Sequence, residues 1–100
     1  MKYGLKEEIL DLIRTIFSRY PEIEKAILYG SRAKGNYKKG SDIDLALYGE
    51  DINLTILNKI SIDLDDLLLP YSFDLSIYKN LSNKEFLEHI DRVGILIYKR

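Results

Sequence analysis

No cysteine occurs in the 100 residues, which excludes a disulfide framework and a thiolate zinc site. No apolar run approaches the length of a membrane span, and the amino terminus lacks the short apolar core of a secretory signal. Those absences set the expectation of a cytoplasmic protein with no membrane role. An excess of one charge is missing as well: 15 Lys and Arg against 16 Asp and Glu leave a formal net charge of −1. Such a balance exerts no overall pull on nucleic acid or anionic lipid, so direct nucleic-acid binding is not expected. Any attraction for phosphate has to be local. Internal repeats, linkers and low-complexity segments are absent too. What is present, 46% apolar and 31% charged residues, is the composition of a soluble globular protein. The length suits one small domain, residues 1–100, with a single modest core.

Leu5, Ile9, Leu12, Ile13, Ile16, Phe17 and Tyr20 recur at three- and four-residue steps, so residues 4–19 read as an amphipathic helix ended by Pro21. KAILY at 25–29 is too brief for a helix and is bounded by Gly30, which makes it a buried strand. DIDLALY at 42–48 alternates, with Ile43, Leu45 and Leu47 on one face and Asp42, Asp44, Ala46 and Tyr48 on the other. Residues 53–69 carry a helical stripe of Leu57, Ile60, Leu64, Leu67 and Leu68, with Asn53 as its cap and Pro70 as its stop. FDLSIY at 73–78 alternates as a third strand. Ser82 and Glu85 form a capping box for a helix bearing Phe86, Leu87, Ile90 and Val93. Gly94 closes that helix, and ILIY follows as a fourth strand. The order α-β-β-α-β-α-β indicates an α/β or α+β fold, a sheet with helices packed on it.

The stretch LYGSRAKGNYKKGSDIDLAL, residues 28–47, is not ordinary scaffold. Between its Gly-Ser pair and its Asp-Ile-Asp lie Arg32, Lys34, Lys38 and Lys39 and no acid. Side chains two apart on a strand share a face, so Asp42 and Asp44 project together. The second strand reaches the third through a helix, and such a crossover joins parallel strands. Both strands then start at one edge of the sheet, where Asp74 can join the first two acids. The loop of residues 30–41 must return to that edge, which brings Gly30 and Ser31 beside them. Neighbouring carboxylates raise one another's pKa and need neutralising. Oxygen-only ligands suit Mg2+ or Mn2+, and two such ions can clamp both oxygens of an in-line phosphoryl displacement. Gly30 lets backbone approach a phosphate closely, Ser31 offers a hydroxyl and an N–H, and the loop cations balance a triphosphate.

The segment GSRAKGNYKKGSDIDLAL resembles the Gly-Ser, ten residues, Asp-x-Asp signature of the DNA polymerase beta-like nucleotidyltransferases. With the FDLSIY carboxylate and this length, the whole chain is similar to their minimal, single-domain MNT branch. The resemblance implies a mixed four-stranded sheet and transfer of a nucleoside monophosphate from ATP or another NTP. It implies that Asp42 and Asp44 bind two Mg2+ ions, with Mn2+ as the alternative metal. Asp74 would complete the metal site and help activate the attacking hydroxyl. Gly30 and Ser31, with Arg32 and Lys34 beside them, would hold the nucleotide. Larger relatives add a helical domain for which these residues leave no room. MNT proteins pair instead with an all-helical HEPN protein, the toxin of a toxin–antitoxin system, and some neutralise it by adenylylating a tyrosine. That gives the expected role: an antitoxin enzyme acting on a HEPN partner.

Two further readings compete with it: a non-catalytic module that masks a helical partner, and a nucleotidyltransferase acting on a small molecule. A Walker A loop is excluded, because Asn36 and Tyr37 stand where that motif needs Lys and Ser or Thr. An EF-hand fails as well, since Ile43, Leu45 and Ala46 fall among its ligand positions. His89, the only histidine, reads as a surface or boundary residue rather than a base. Lys38 and Lys39 are explained adequately by a solvated loop.

Overall fold

Residues 1–100 are described by a computed structural model. The first strand β1 (Lys25–Tyr29) lies at the centre of a four-stranded sheet between β2 (Ile43–Tyr48) and β4 (Ile95–Lys99), antiparallel to both. On the far side of β2, β3 (Phe73–Ile77) runs parallel to it, giving the order β3-β2-β1-β4. The sheet is therefore mixed, and the β2–β3 crossover is the helix α3 (Leu54–Asp65). Asn53 caps α3 as its sequence position implies, its Oδ1 accepting the Ile56 N–H at 2.9 Å. The other helices are α1 (Glu7–Ser18), the short α2 (Gly30–Lys34) and α4 (Lys84–Val93).

One face of the sheet carries the main core. Leu28, Ile43, Leu45 and Leu47 are fully buried against Leu10, Ile13, Ile16 and Phe17 of α1 and Ile60 and Leu64 of α3. At ~1.5–3 kcal/mol for each fully buried side chain, this layer dominates the stability. Tyr20 at the end of α1 donates to Asp63 of α3 at 2.5 Å, tying the two helices together on their outer side. The second face is not left to solvent, contrary to the simple alternation of DIDLALY. There α4 lays Phe86, Ile90 and Val93 over Tyr29, Ala46 and Tyr48, so the sheet is covered from both sides.

Several boundaries differ from those the sequence suggests. Leu5 is buried but precedes α1, in a turn where Tyr3 and Gly4 have φ of 58° and 73°; Leu12 of the expected stripe is 44% exposed. Helix α3 stops at Asp65 rather than at Pro70, with Leu68 in the left-handed region at φ 55°. The cap of α4 is Asn83, whose Oδ1 accepts the Phe86 N–H at 2.9 Å, and not Ser82. The Asx side chain one residue later accepts from the N–H three residues beyond it, so the cap and its donor are both offset by one from the box pattern.

Gly94 ends α4 for a steric reason. Its backbone is extended, φ −61° and ψ 142°, not left-handed. A Cβ there would collide with the Ile90 carbonyl and with Ile27 Cγ2 at 2.5 Å. Gly94→Ala is therefore expected to lower unfolding free energy by ~1–3 kcal/mol, as overpacking does. Urea unfolding checks it: the midpoint should fall with the slope unchanged.

Candidate active site

Chain direction reverses between β1 and β2 through α2 and the loop behind it, and the reversal depends on Gly30. This residue has φ +75°, a conformation that glycine adopts without steric cost. Any side chain at position 30 would run into the Asp44 carboxylate. Helix α2 opens at Gly30 itself, with Ser31 as its second residue and Tyr29, which makes no side-chain cap, before it. The backbone of the Gly-Ser pair thus lies against Asp44.

The acids are set by register. Tyr29 pairs with Asp44 across β1 and β2, and Asp44 pairs with Asp74 across β2 and β3. Paired residues of adjacent strands project to the same face, so Asp44 and Asp74 stand side by side. Asp42 lies one residue before β2, exposed, as is Asp74, while Asp44 is half-buried. Burial pushes the Asp44 carboxyl up to about 6, with Asp74 and then Asp42 adding repulsion and Arg32 opposing it. Burial also raises the Tyr29 hydroxyl, with Asp74 and Asp44 contributing against a contact from Ser76. No three Asp, Glu or His side chains are gathered into a ready-made metal cluster. The donor chemistry nevertheless fits a hard cation such as Mg2+, which takes one or two carboxylates and completes its shell with water and substrate phosphate. A cation beside Asp44 would also relieve the repulsion that raises its pKa.

The basic residues separate into two kinds. Lys34, in the last turn of α2, is exposed. Arg32 is 2% exposed and points into the structure. Its Nε and Nη2 donate to the Ser41 carbonyl at 3.2 and 2.8 Å, and its Nη1 to the Tyr3 carbonyl at 2.9 Å. The side chain expected beside the nucleotide thus clamps the loop to the turn before α1.

His89 comes to the site unannounced by any motif. The Gly30 N–H donates to its Nε2 at 3.3 Å, and its ring meets Tyr29 edge-on with centroids 6.1 Å apart. In that contact Nε2 serves as the acceptor. The available signal was helical spacing: His89 lies three residues after Phe86 and four before Val93, on the face α4 turns to the sheet.

Residues 11–100 match the family model described as "Polymerase beta, Nucleotidyltransferase". The chain belongs to this nucleotidyltransferase family. A Haemophilus influenzae relative named "Probable protein adenylyltransferase MntA" is 29% identical over 97 residues, 96% of this chain and 84% of the relative. Among solved structures, a toxin–antitoxin complex with AMP-PNP superposes with TM-score 0.75 at 19% identity, covering 91% of this chain and 73% of that one. A tri-AMPylated Shewanella oneidensis HEPN toxin in complex with MNT antitoxin gives TM-score 0.71 at 16% identity, with coverages of 96% and 74%. These structural neighbours share the nucleotidyltransferase fold, the mixed sheet that the Gly-Ser and Asp-x-Asp spacing led us to expect.

A family member that crowds acids without a bound cation should gain stability when one is neutralised. Asp44 holds its proton more tightly folded than unfolded, so its contribution to stability is full below about pH 4 and is lost as pH rises through about 6. Asp44→Asn should therefore stabilise the metal-free protein at pH 7.5, by on the order of 1 kcal/mol once solvent screening is allowed for. At pH 4 the gain should vanish. Thermal unfolding of both proteins at the two pH values measures it.

Proposed function

We propose that this chain transfers AMP from ATP to a hydroxyl group, a tyrosine of a helical HEPN-type toxin, and thereby serves as the antitoxin of a cytoplasmic pair. The observation that carries the reading is the alignment of Asp44 with Asp74 across β2 and β3, with the Gly30 backbone packed on Asp44. The Gly30 turn, which would take phosphate, thus lies beside the carboxylate pair at one edge of the sheet. Support for the acceptor and the partner comes from relatives: the MntA name of the Haemophilus influenzae protein and the HEPN–MNT complex from Shewanella oneidensis.

Asp42, Asp44 and Asp74 would hold Mg2+, or Mn2+ in its place. When bound, the metal supplies Lewis-acid stabilisation of charge on the attacking and departing oxygens. The remaining chemistry belongs to the chain. The backbone N–H groups of Gly30 and Ser31 at the start of α2 donate to phosphate oxygens, and a phosphate there takes the place that His89 Nε2 fills at Gly30. Lys34, free in solvent, offsets phosphate charge. Asp74, more exposed than Asp44, faces the side from which an acceptor hydroxyl arrives and takes its proton. Arg32 acts indirectly, holding Ser41 and hence the entry of the chain into Asp42.

Incubation with α-labelled ATP, Mg2+ and a HEPN-type partner protein tests the reading. Label should move to the partner, and Asp44→Asn or Asp74→Asn should reduce the rate by more than about 100-fold while partner binding persists. Full inhibition of the toxin by Asp44→Asn without any label transfer would establish a masking protein instead. Labelled low-mass product formed without the partner would point to a small-molecule acceptor.

A further inference from the structure

Arg32 presents a charge problem that the loop does not solve by itself. Its guanidinium is almost wholly buried, yet the ion pairs of the chain belong to Arg14, with Glu7 and Asp11. No carboxylate lies within contact of Arg32. The rings of Tyr37 and Tyr71 flank it, with Cζ 5.4 and 4.9 Å from their centroids, and carbonyls accept from it. Those interactions are attractive but neutral. A guanidinium has five N–H groups; three are taken by Ser41 and Tyr3, and five minus three leaves a pair without a protein acceptor. A buried cation with no carboxylate in contact is costly, and Asp44 attracts Arg32 only from beyond contact.

Beside this guanidinium is a cavity of about 340 Å³. Arg32, Lys38, Lys39, Tyr37 and Tyr71 contribute to its wall, and no acid does. None of Gly30, Ser31, Asp42, Asp44 and Asp74 lines it. The cavity therefore shares no lining residue with the carboxylate edge. Its volume lies at the small end of ligand pockets, ~300–1,000 Å³. Three cations around a space of that size, two of them exposed lysines, suit a compact anion carrying several charges.

We propose that this cavity is a second anion site, which binds a diphosphate group, either free pyrophosphate or the diphosphate of a nucleotide. Binding brings negative charge directly against Arg32, Lys38 and Lys39, where Asp44 acts on Arg32 only from beyond contact. It also steadies the loop next to Asp42, because Ser41 accepts from Arg32 through its carbonyl and from the Lys38 N–H through its hydroxyl, the latter at 2.8 Å. The site is argued from the cavity alone and stands whether or not the chain adenylylates a protein.

Titration of the full chain, free of divalent cations, with pyrophosphate, ADP and AMP, followed by amide and Arg Nε–H chemical shifts, tests the proposal. Pyrophosphate and ADP should saturate shifts at Lys38, Lys39, Gly40, Tyr71 and the Arg32 side chain, and AMP should not. Saturation by pyrophosphate but not ADP identifies the free anion as ligand; tighter binding of ADP identifies the nucleotide-borne group. Lys38→Glu combined with Lys39→Glu, both exposed loop positions, should weaken binding at least about tenfold, a loss of ~1.4 kcal/mol. Asp44→Asn should leave these shifts in place. The proposal is overturned if no probe shifts the cavity residues, if the shifts are confined to Gly30 and Ser31, or if they survive the double lysine substitution.

Discussion

Everything at the candidate site depends on the parallel, in-register pairing of β2 with β3. A shift of one residue would turn Asp74 to the opposite face and bring Phe73 or Leu75 beside Asp44. What resists that shift is burial, since Ile43, Leu45 and Leu47 are fully buried on the reverse face and Ile77 nearly so. The same strands that hold the core therefore force two carboxylates together on their other side. Repulsion between the acids is small against the several apolar side chains that fix the register. Asp44 shows the cost as a pKa raised first by burial and then by Asp74 and Asp42.

A second constraint comes from the turn between β1 and β2. Gly30 serves two needs at once, a left-handed backbone and the close approach of Asp44. The basic loop that follows is not a uniform field of positive charge over the acids. Arg32 turns inward and fastens the loop at Ser41, with tyrosine rings on either side, while Lys34, Lys38 and Lys39 remain in solvent. Charge that looks continuous in the primary structure is thus divided between a buried guanidinium and exposed lysines.

Helix α4 completes the arrangement by covering the half of the sheet that carries the acids. Tyr29 is gripped there by Phe86, with ring centroids 5.3 Å apart in an edge-on geometry, and by His89. Burial of Ala46 and Tyr29 under α4 helps to desolvate Asp44, which pairs with Tyr29 and stands two residues before Ala46 on the same face. The helix therefore shapes the electrostatics of the site as well as the packing. It also gives His89 a reason to be where it is, as the acceptor for a backbone donor that a glycine turn would otherwise present to water.

Residue order alone specified the strands, the three longer helices and the pairing of a Gly-Ser turn with an Asp-x-Asp strand, because each is written in local periodicity or in fixed spacing; the short α2 between β1 and β2 was not in the expected order. The parallel crossover was legible too, since a strand, helix and strand of these lengths can pack in few ways. Helix ends were less legible: Asn83 rather than Ser82 caps α4, and α3 ends before Pro70, because adjacent polar side chains can each cap a helix start and local backbone choices end helices early. Three matters belonged to the tertiary structure. These were the burial of Arg32, the covering of the acidic face by α4, and the meeting of His89 with Gly30. Each joins residues distant in the chain, and no local pattern records which face of a helix will meet which turn until the sheet has brought them together.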